Sequence, residues 1–207
     1  MQKFLKILKW IGIVLVILFI VAEIIRWPFR VREEKTAELV QKIHVTKLQL
    51  SDVTGDNLPP DPGVEADKMI AGIDANKNGI RDDVELAIFK EYPNSAKTRA
   101  VLLQYALALQ MIFVQPIENK GTTTEVVREN SRSYACVGDA LVPRKSPESS
   151  RSSTDVDKID VFIGFVESRQ LNTSERKKYK TDFYEKIGNY GESENDVCDI
   201  DYSTLSK

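Results

Sequence analysis

The sequence predicts an all-α protein: an N-terminal transmembrane helix, a short extended lead-in and then a small helical bundle. Two observations support this fold class. One long apolar run stands near the start of the chain, and the second half repeats apolar residues at the spacing typical of helices. The chain has 207 residues, of which 42% are hydrophobic and 29% charged. This length and composition suit one membrane segment and one ordinary domain.

The apolar run covers residues 4–25 and is interrupted only by Lys6, Lys9 and Glu23, all near its ends. As a helix this run would span about 33 Å, which is enough to cross the hydrocarbon core of a bilayer. The two lysines can extend their charged groups to the headgroup layer. Pro28 is predicted to end the helix, since proline lacks a backbone N–H. We therefore expect this run to contact the membrane.

A cleaved secretory signal peptide is the competing interpretation of the same residues. Lys3, Lys6 and Lys9 ahead of an apolar run are also typical of such peptides. The best cleavage point follows Ala22, but it places the bulky Ile20 where signal peptides carry a small residue. The sequence therefore favours an uncleaved signal-anchor.

The segment after the anchor is predicted to be a lead-in to the main domain. Residues 33–43 continue as a short polar helix, and apolar residues alternate loosely from Val45 to Val53, which favours a short strand or extended chain. Residues 57–63 contain three prolines, so they must be extended or turning. The predicted divisions are the anchor, the lead-in and an extracytoplasmic helical domain: residues 1–30, 31–63 and 64–207.

The helical domain is predicted to contain five helices. The second of them is apolar on nearly all sides and should be the buried core helix. A second membrane span is disfavoured there, because the run is short and is interrupted by Gln104 and Gln110. Thr122 with Glu125 three residues later predicts the capping box of the third helix. The predicted helices cover residues 83–92, 96–115, 122–137, 155–171 and, from a cap at Thr173 or Ser174, up to Ile187.

Residues 74–85 are the one stretch whose spacing points to metal chemistry. Calcium takes six to eight oxygen ligands, and a twelve-residue loop supplies them from positions 1, 3, 5, 7, 9 and 12. Counted from the first aspartate, each of these positions carries an oxygen donor, the seventh through its backbone carbonyl. The predicted ligands are Asp74, Asn76, Asn78, Ile80, Asp82 and Glu85. Gly79 falls at position 6, where the chain must turn sharply.

This spacing resembles the calcium-binding loop of EF-hand proteins, over these twelve residues only. An EF-hand usually has an aliphatic residue at position 8, where this chain has Arg81. With Gly79 and Ile80 at positions 6 and 7 and Asp82 at position 9, the loop also looks like the aspartate-rich type 3 repeats of thrombospondin and their bacterial relatives. The resemblance implies Ca²⁺ as the cofactor, bound by a single unpaired loop.

A solvated turn that caps a helix starting near Asp82 is the alternative interpretation of the same residues. Such a turn needs only some of these residue types, whereas the stretch meets every positional requirement, so calcium is favoured. Three carboxylates and two neutral amides predict a modest affinity, suited to high-micromolar or millimolar calcium. Calcium at that level is typical of extracellular modules rather than of a cytosol.

The two cysteines, Cys136 and Cys198, are predicted to form a disulfide that ties the final segment to the bundle. Two buried free thiols are the alternative. Disulfides persist in oxidising compartments, and a weak calcium loop also suits a site outside the cytosol. We therefore expect a single-pass protein of the inner (plasma) membrane whose C-terminal domain faces the periplasm or the exterior.

The charge balance argues against a nucleic-acid partner. Residues 31–207 contain 24 basic and 30 acidic residues, which gives a formal charge of −6. A nucleic-acid-binding domain would instead carry a basic stripe. An envelope protein on the same side of the membrane is the expected kind of partner.

The sequence favours a structural or interaction protein whose fold is stabilised by calcium. The alternative is a calcium-dependent cell-envelope hydrolase with carboxylate catalysis. The chain has one histidine and no Gly-x-Ser-x-Gly, His-Glu-x-x-His or phosphate-binding glycine motif, so an enzyme is disfavoured. A calcium sensor is disfavoured because the single loop has a very short entering helix. The acids that a hydrolase could bring together are Glu118, Glu125, Glu129 and Glu167.

Overall fold

The structure is a computed structural model that describes residues 2–116, 119–146, 149–189, 191 and 196–206. Within these ranges the protein contains seven α-helices and no β-strand, which confirms the predicted all-α class. The chain divides into two compact units, Met1–Leu39 and Val40–Lys207. Glu118, one of the acids considered for a hydrolase, lies outside the described residues.

The first helix, α1, runs over Gln2–Val45. The prediction that Pro28 ends the anchor helix is wrong, because this proline lies inside α1. Proline removes one backbone hydrogen bond and crowds the preceding turn. That cost falls on a single turn of a helix of 44 residues. Glu23 and Arg30, about two turns apart, form an ion pair that spans the proline.

Helix α1 is the one helix among the described residues that is long and apolar enough to cross a membrane, judged by length and composition. Its most apolar 18-residue window has a mean hydropathy of 2.6 and is not buried by the rest of the protein. A signal sequence at the N-terminus would meet the same criteria. The expectation of one N-terminal apolar helix of membrane-spanning length is confirmed.

The lead-in contains a short helix, α2, over Leu50–Thr54, so the strand considered for this region is wrong. Asp52 favours the helix, because its carboxylate accepts a hydrogen bond from the backbone N–H of Gln49 at 2.9 Å. Gly55 ends the helix in the left-handed region, at φ 86°. Val53 is completely buried in the main core, which explains why this segment packs as a helix against the bundle.

Five further helices make up most of the second unit. Their bounds lie within a few residues of the predicted ones, since apolar periodicity and capping residues define them well. The helices are α3 (Asp82–Glu91), α4 (Ala96–Val114), α5 (Lys120–Leu141), α6 (Ser153–Gln170) and α7 (Ser174–Tyr184). Two short 3₁₀ turns cover Gly63–Asp67 and Tyr202–Thr204. The first of these corresponds to the very short helix that was expected to enter the loop.

The N-terminal cap of α5 differs from the predicted one. The side chain of Asn119 accepts hydrogen bonds from the backbone N–H groups of Gly121 and Thr122, at 2.8 and 3.2 Å. Asn119 therefore accepts from two N–H groups of the first turn that have no acceptor within the helix. Helix α5 begins before Thr122 for this reason. Thr122 is instead buried within the first turn.

Helix α4 is the centre of the second unit, as predicted. Every residue from 99 to 113 is buried, and the helix contacts α2, α3, α5, α6 and α7. Its two glutamines are satisfied within the core rather than exposed. Gln104 donates to the carbonyl of Val197 at 2.8 Å, and Gln110 donates to the carbonyl of Ala71 at 2.6 Å. These bonds connect the core helix to segments far away in sequence.

The predicted disulfide is present between Cys136 on α5 and Cys198 in the final segment, with the two Cα atoms 5.1 Å apart. Asp199, the next residue, accepts a hydrogen bond from the guanidinium of Arg132 at 2.5 Å. The same carboxylate accepts from the backbone N–H of Leu48 at 3.0 Å. The final segment is therefore held against α5 and the lead-in by a covalent bond and a buried ion pair.

Candidate metal-binding loop

The loop of residues 74–85 follows the first 3₁₀ turn and includes the first turn of helix α3. Gly72 and Gly79 lie in the left-handed region, at φ 70° and 86°. Glycine adopts this conformation easily because it has no Cβ. The backbone N–H of Asp82 donates to the carbonyl of Ile73 at 2.9 Å. This bond closes the loop at the first residue of α3.

Asp74 holds the middle of the loop in a tight turn. Its carboxylate accepts hydrogen bonds from the backbone N–H groups of Asn78 and Gly79, at 3.1 and 2.9 Å. The amide oxygen of Asn78 in turn accepts from the backbone N–H of Ile80 at 2.9 Å. Short polar side chains stabilise turns in this way. The loop is therefore shaped by the same residues that the sequence assigns as ligands.

Glu85, at position 12, reaches back from α3 to the loop. Its carboxylate accepts hydrogen bonds from the side-chain amides of Asn76 and Asn78, both at 3.1 Å. Glu85 is only 1% exposed. Burial raises the pKa of this carboxyl to about 7, and the two amide hydrogen bonds oppose the increase. The site thus buries a carboxylate with only neutral hydrogen-bond donors around it.

Asp82, at position 9, is the second buried acid of the loop. Both of its oxygens lie within 3.1 Å of the backbone nitrogen of Ala75. Burial raises its pKa, opposed by that hydrogen bond. Among the described residues no ion pair involves Asp74, Asp82 or Glu85. Within the described residues, these three carboxylates therefore have no basic side chain as an ion-pair partner.

The structure brings some of the predicted ligands together and keeps others apart. Asp74, Asn76 and Glu85 all form hydrogen bonds with Asn78. Asp82 instead contacts the start of the loop at Ala75. Within the part of the chain that the structure describes, no three carboxylate, imidazole or thiol side chains converge as a preformed metal centre. The arrangement is a folded loop whose acids are occupied by its own N–H groups.

Arg81, the residue that departs from the EF-hand pattern, fixes the loop to helix α6. It is completely buried. Its guanidinium forms two hydrogen bonds with the carboxylate of Asp83, at 2.5 and 2.7 Å, and donates to the carbonyls of Arg169 and Gln170, at 2.7 and 3.2 Å. Arginine suits this site because its planar donors satisfy a carboxylate and helix-end carbonyls together. No local pattern in the sequence indicates this role.

Arg176 on α7 holds the segment that leads into the loop. It is 1% exposed. Its guanidinium donates to the backbone carbonyls of Ala66, Met69 and Ile70, at 2.7, 2.9 and 2.9 Å, and pairs with Asp67 at 2.5 Å. These contacts join residues more than 100 positions apart, so periodicity and local spacing could not reveal them.

The acids considered for a hydrolase do not form a catalytic pair in the described structure. Each of the three acids that the structure describes forms an ion pair with a different basic residue, so its charge is already balanced. Paired catalytic carboxylates would instead face each other across a cleft. The observed ion pairs are Glu125–Arg128, Glu129–Arg132 and Glu167–Lys180.

Replacing Gly79 by alanine should destabilise the second unit by about 2 kcal/mol. A Cβ at this position would disfavour φ 86° and would lie 2.6 Å from Cδ1 of the buried Leu107. The matched control is Gly164→Ala on the exposed face of α6, where a Cβ meets nothing within 4 Å. That variant should gain about 0.5 to 1 kcal/mol. Thermal unfolding of the two variants would contradict the expectation if both shifted in the same direction.

Comparison with protein-family models, with curated proteins and with solved structures finds no match to this chain. The fold and the loop therefore define it only by class: an all-helical protein with an N-terminal helix of membrane-spanning length and one intramolecular disulfide.

Proposed function

We propose that this chain is a membrane-anchored, extracytoplasmic calcium-binding protein in which the ion stabilises the fold, with a structural or interaction role. The observation that carries the proposal is the burial of Glu85 without a basic partner. An uncompensated buried carboxylate is costly, and a bound cation would offset that cost. Position 12 is also where a calcium loop places its bidentate acid.

The donor set fits calcium better than a transition metal. The proposed ligands are all oxygens, and the loop contains no cysteine or histidine, the residues that zinc and copper prefer. Asn76 and Asn78 now direct their N–H groups at Glu85. To bind the ion, these amides would present their oxygens instead, and calcium would supply the positive charge that their N–H groups supply only in part. The ligand set is Asp74, Asn76, Asn78, the carbonyl of Ile80, Asp82 and Glu85.

Calcium that binds only the folded state stabilises it through mass action. At ten times the dissociation constant the gain is about 1.4 kcal/mol. That gain would act where the lead-in, the loop and α3 meet, which is also where Arg81 and Arg176 hold the chain to α6 and α7. The ion and the two arginines would therefore support the same part of the fold.

The proposed location is the inner (plasma) membrane, with the second unit facing the periplasm or exterior. The disulfide supports an oxidising compartment, and α1 supports anchoring by one span. Calcium is more abundant there than in a cytosol, which suits a loop of modest charge. An interaction role would involve an envelope protein on the same side of the membrane.

The test is a calcium titration of the full chain in a nonionic detergent. Calorimetry measures the binding, and thermal unfolding measures the change in stability. We expect a dissociation constant on the order of 0.1 to 1 mM and a higher melting temperature with calcium. Glu85→Gln should weaken binding at least tenfold. The matched control Glu91→Gln, at the exposed end of the same helix, should bind like the native chain. Absence of saturable binding, or equal binding by the two variants, would refute the proposal.

A further inference from the structure

A cavity of about 230 Å³ lies between α4, α5 and α7, away from the calcium-type loop. Its deeper part is formed by Tyr105 and Asn130, which are 5% and 6% exposed. Ser131 and Tyr184 are the more exposed residues, and they form its mouth. The residues that line it are Tyr105, Asn130, Ser131, Tyr134 and Tyr184.

Asn130 contributes a buried hydrogen-bond acceptor that no described group satisfies. Its side-chain nitrogen donates to the carbonyls of Ala108 and Val126, at 2.9 and 3.1 Å. This fixes the orientation of the amide, since a flipped amide would place its oxygen against two other oxygens. The Oδ1 atom is buried and has no donor among the described residues. A buried acceptor normally has a partner, so a donor from outside the protein is expected.

The hydroxyls of the two inner tyrosines cannot serve as that donor, because each already donates a hydrogen bond to a carboxylate. Tyr105 donates to Glu167 at 3.0 Å and Tyr134 donates to Asp160 at 3.1 Å. Donation to a carboxylate makes the phenol ring more electron-rich. The rings of the cavity therefore present faces that attract a positive charge, and the ammonium of Lys180 already lies 5.8 Å from the centroid of the Tyr184 ring.

The charged groups around the rings include one acid in excess, because Arg151, whose charge acts on Tyr134, is paired with Asp139. Glu167 is paired with Lys180 at 2.6 Å, so its charge is matched. Asp160 forms no ion pair among the described residues. Within the same residues, its carboxylate accepts a hydrogen bond only from the hydroxyl of Tyr134. Asp160 is therefore an acid behind the rings with no basic partner among the described residues, and its charge disfavours an anionic ligand.

We propose that this cavity binds a small protonated amine. Its ammonium N–H would donate to Oδ1 of Asn130, and its positive charge would lie against the tyrosine rings. An amine is the ligand class that meets both demands, because a neutral alcohol supplies only the donor and a quaternary ammonium supplies only the charge. The cavity volume of about 230 Å³ equals that of roughly eight waters at about 30 Å³ each, so the ligand must be smaller than a typical drug.

The proposal can be tested on the full chain in a nonionic detergent, with tyrosine rings labelled by ¹³C for nuclear magnetic resonance. The probe is butylammonium chloride, and butan-1-ol is the neutral control of similar shape. We expect saturable shifts of the Tyr105 and Tyr134 ring signals with a dissociation constant on the order of 1 mM. Butan-1-ol should bind at least tenfold more weakly. Equal binding of the alcohol would overturn the charge requirement, and no saturable shift would overturn the site.

Two variants of Tyr184 form a matched pair at the mouth of the cavity. Tyr184→Phe keeps the aromatic face and should bind butylammonium within twofold of the native chain. Tyr184→Leu keeps an apolar side chain but removes the face, so it should bind about fivefold more weakly. Ser131→Trp, on the exposed surface of α5, should block the mouth and abolish the shifts. Unchanged affinity in both Tyr184→Leu and Ser131→Trp would show that the amine does not occupy this cavity.

Discussion

Replacing Arg176 by methionine is expected to destabilise the second unit by about 3 to 4 kcal/mol. Methionine fills a similar volume but donates no hydrogen bonds. The carbonyls of Ala66, Met69 and Ile70 would lose their shared donor, and Asp67 would lose its ion pair. Removing one partner of a buried polar cluster costs more than the cluster contributes as a whole, because the remaining groups stay desolvated.

Two controls make the Arg176 measurement specific. Lys177→Met removes an exposed charge from the neighbouring position and should change stability by less than about 0.5 kcal/mol. Arg176→Lys keeps the charge but lacks the planar donors, so it should recover less than half of the loss. Denaturant unfolding of the full chain provides the free energies. A loss below about 1 kcal/mol in Arg176→Met would show that the segment 66–70 is held by other contacts.

The helices were predictable because their sequence signals are local. The run around Leu103 and Leu107 is apolar on nearly every side, and the structure buries it as α4. Ser95 and Thr173 follow the capping preferences and do cap α4 and α7. Signals that lie within one or two turns need no knowledge of the rest of the fold.

The failures of prediction have physical causes too. Pro28 has the local chemistry of a helix end, yet the long helix around it absorbs the lost hydrogen bond. The alternation from Val45 to Val53 fits a strand, but a strand needs a partner and the described chain offers none, so the segment packs as α2 instead. Thr122 matches the capping pattern, but Asn119 caps the helix three residues earlier, through the backbone N–H groups of Gly121 and Thr122.

The residues of the candidate loop could be predicted from the sequence, but the residues that hold the loop in place could not. The spacing from Asp74 to Glu85 identified which residues share one loop. It could not identify Arg81 and Arg176 as buried anchors, because charged residues are usually exposed and these two depend on carbonyls far away in sequence. Likewise, the acceptor of Asn130 and the cavity beside it depend on how α4, α5 and α7 pack, which no single-helix pattern contains.

Removing the disulfide is expected to cost about 4 kcal/mol, the largest effect of any change considered for this chain. Cys136 and Cys198 are separated by 62 residues, so the bond restricts a long loop in the unfolded state. It also keeps Asp199 against Arg132, and the pair is almost completely buried. Replacing both cysteines by alanine should therefore lower the melting temperature and loosen the final segment together.

The measurement compares the double alanine variant with the native chain, each with and without a thiol reductant. Reductant should destabilise the native chain to nearly the level of the variant and should leave the variant unchanged. Asp199→Asn in the oxidised chain separates the two contributions, because it weakens the ion pair with Arg132 but keeps the cross-link. If Asp199→Asn costs as much as loss of the disulfide, the ion pair holds the final segment and the cross-link adds little. If it costs less than half as much, the cross-link dominates, as the entropy of a 62-residue separation requires.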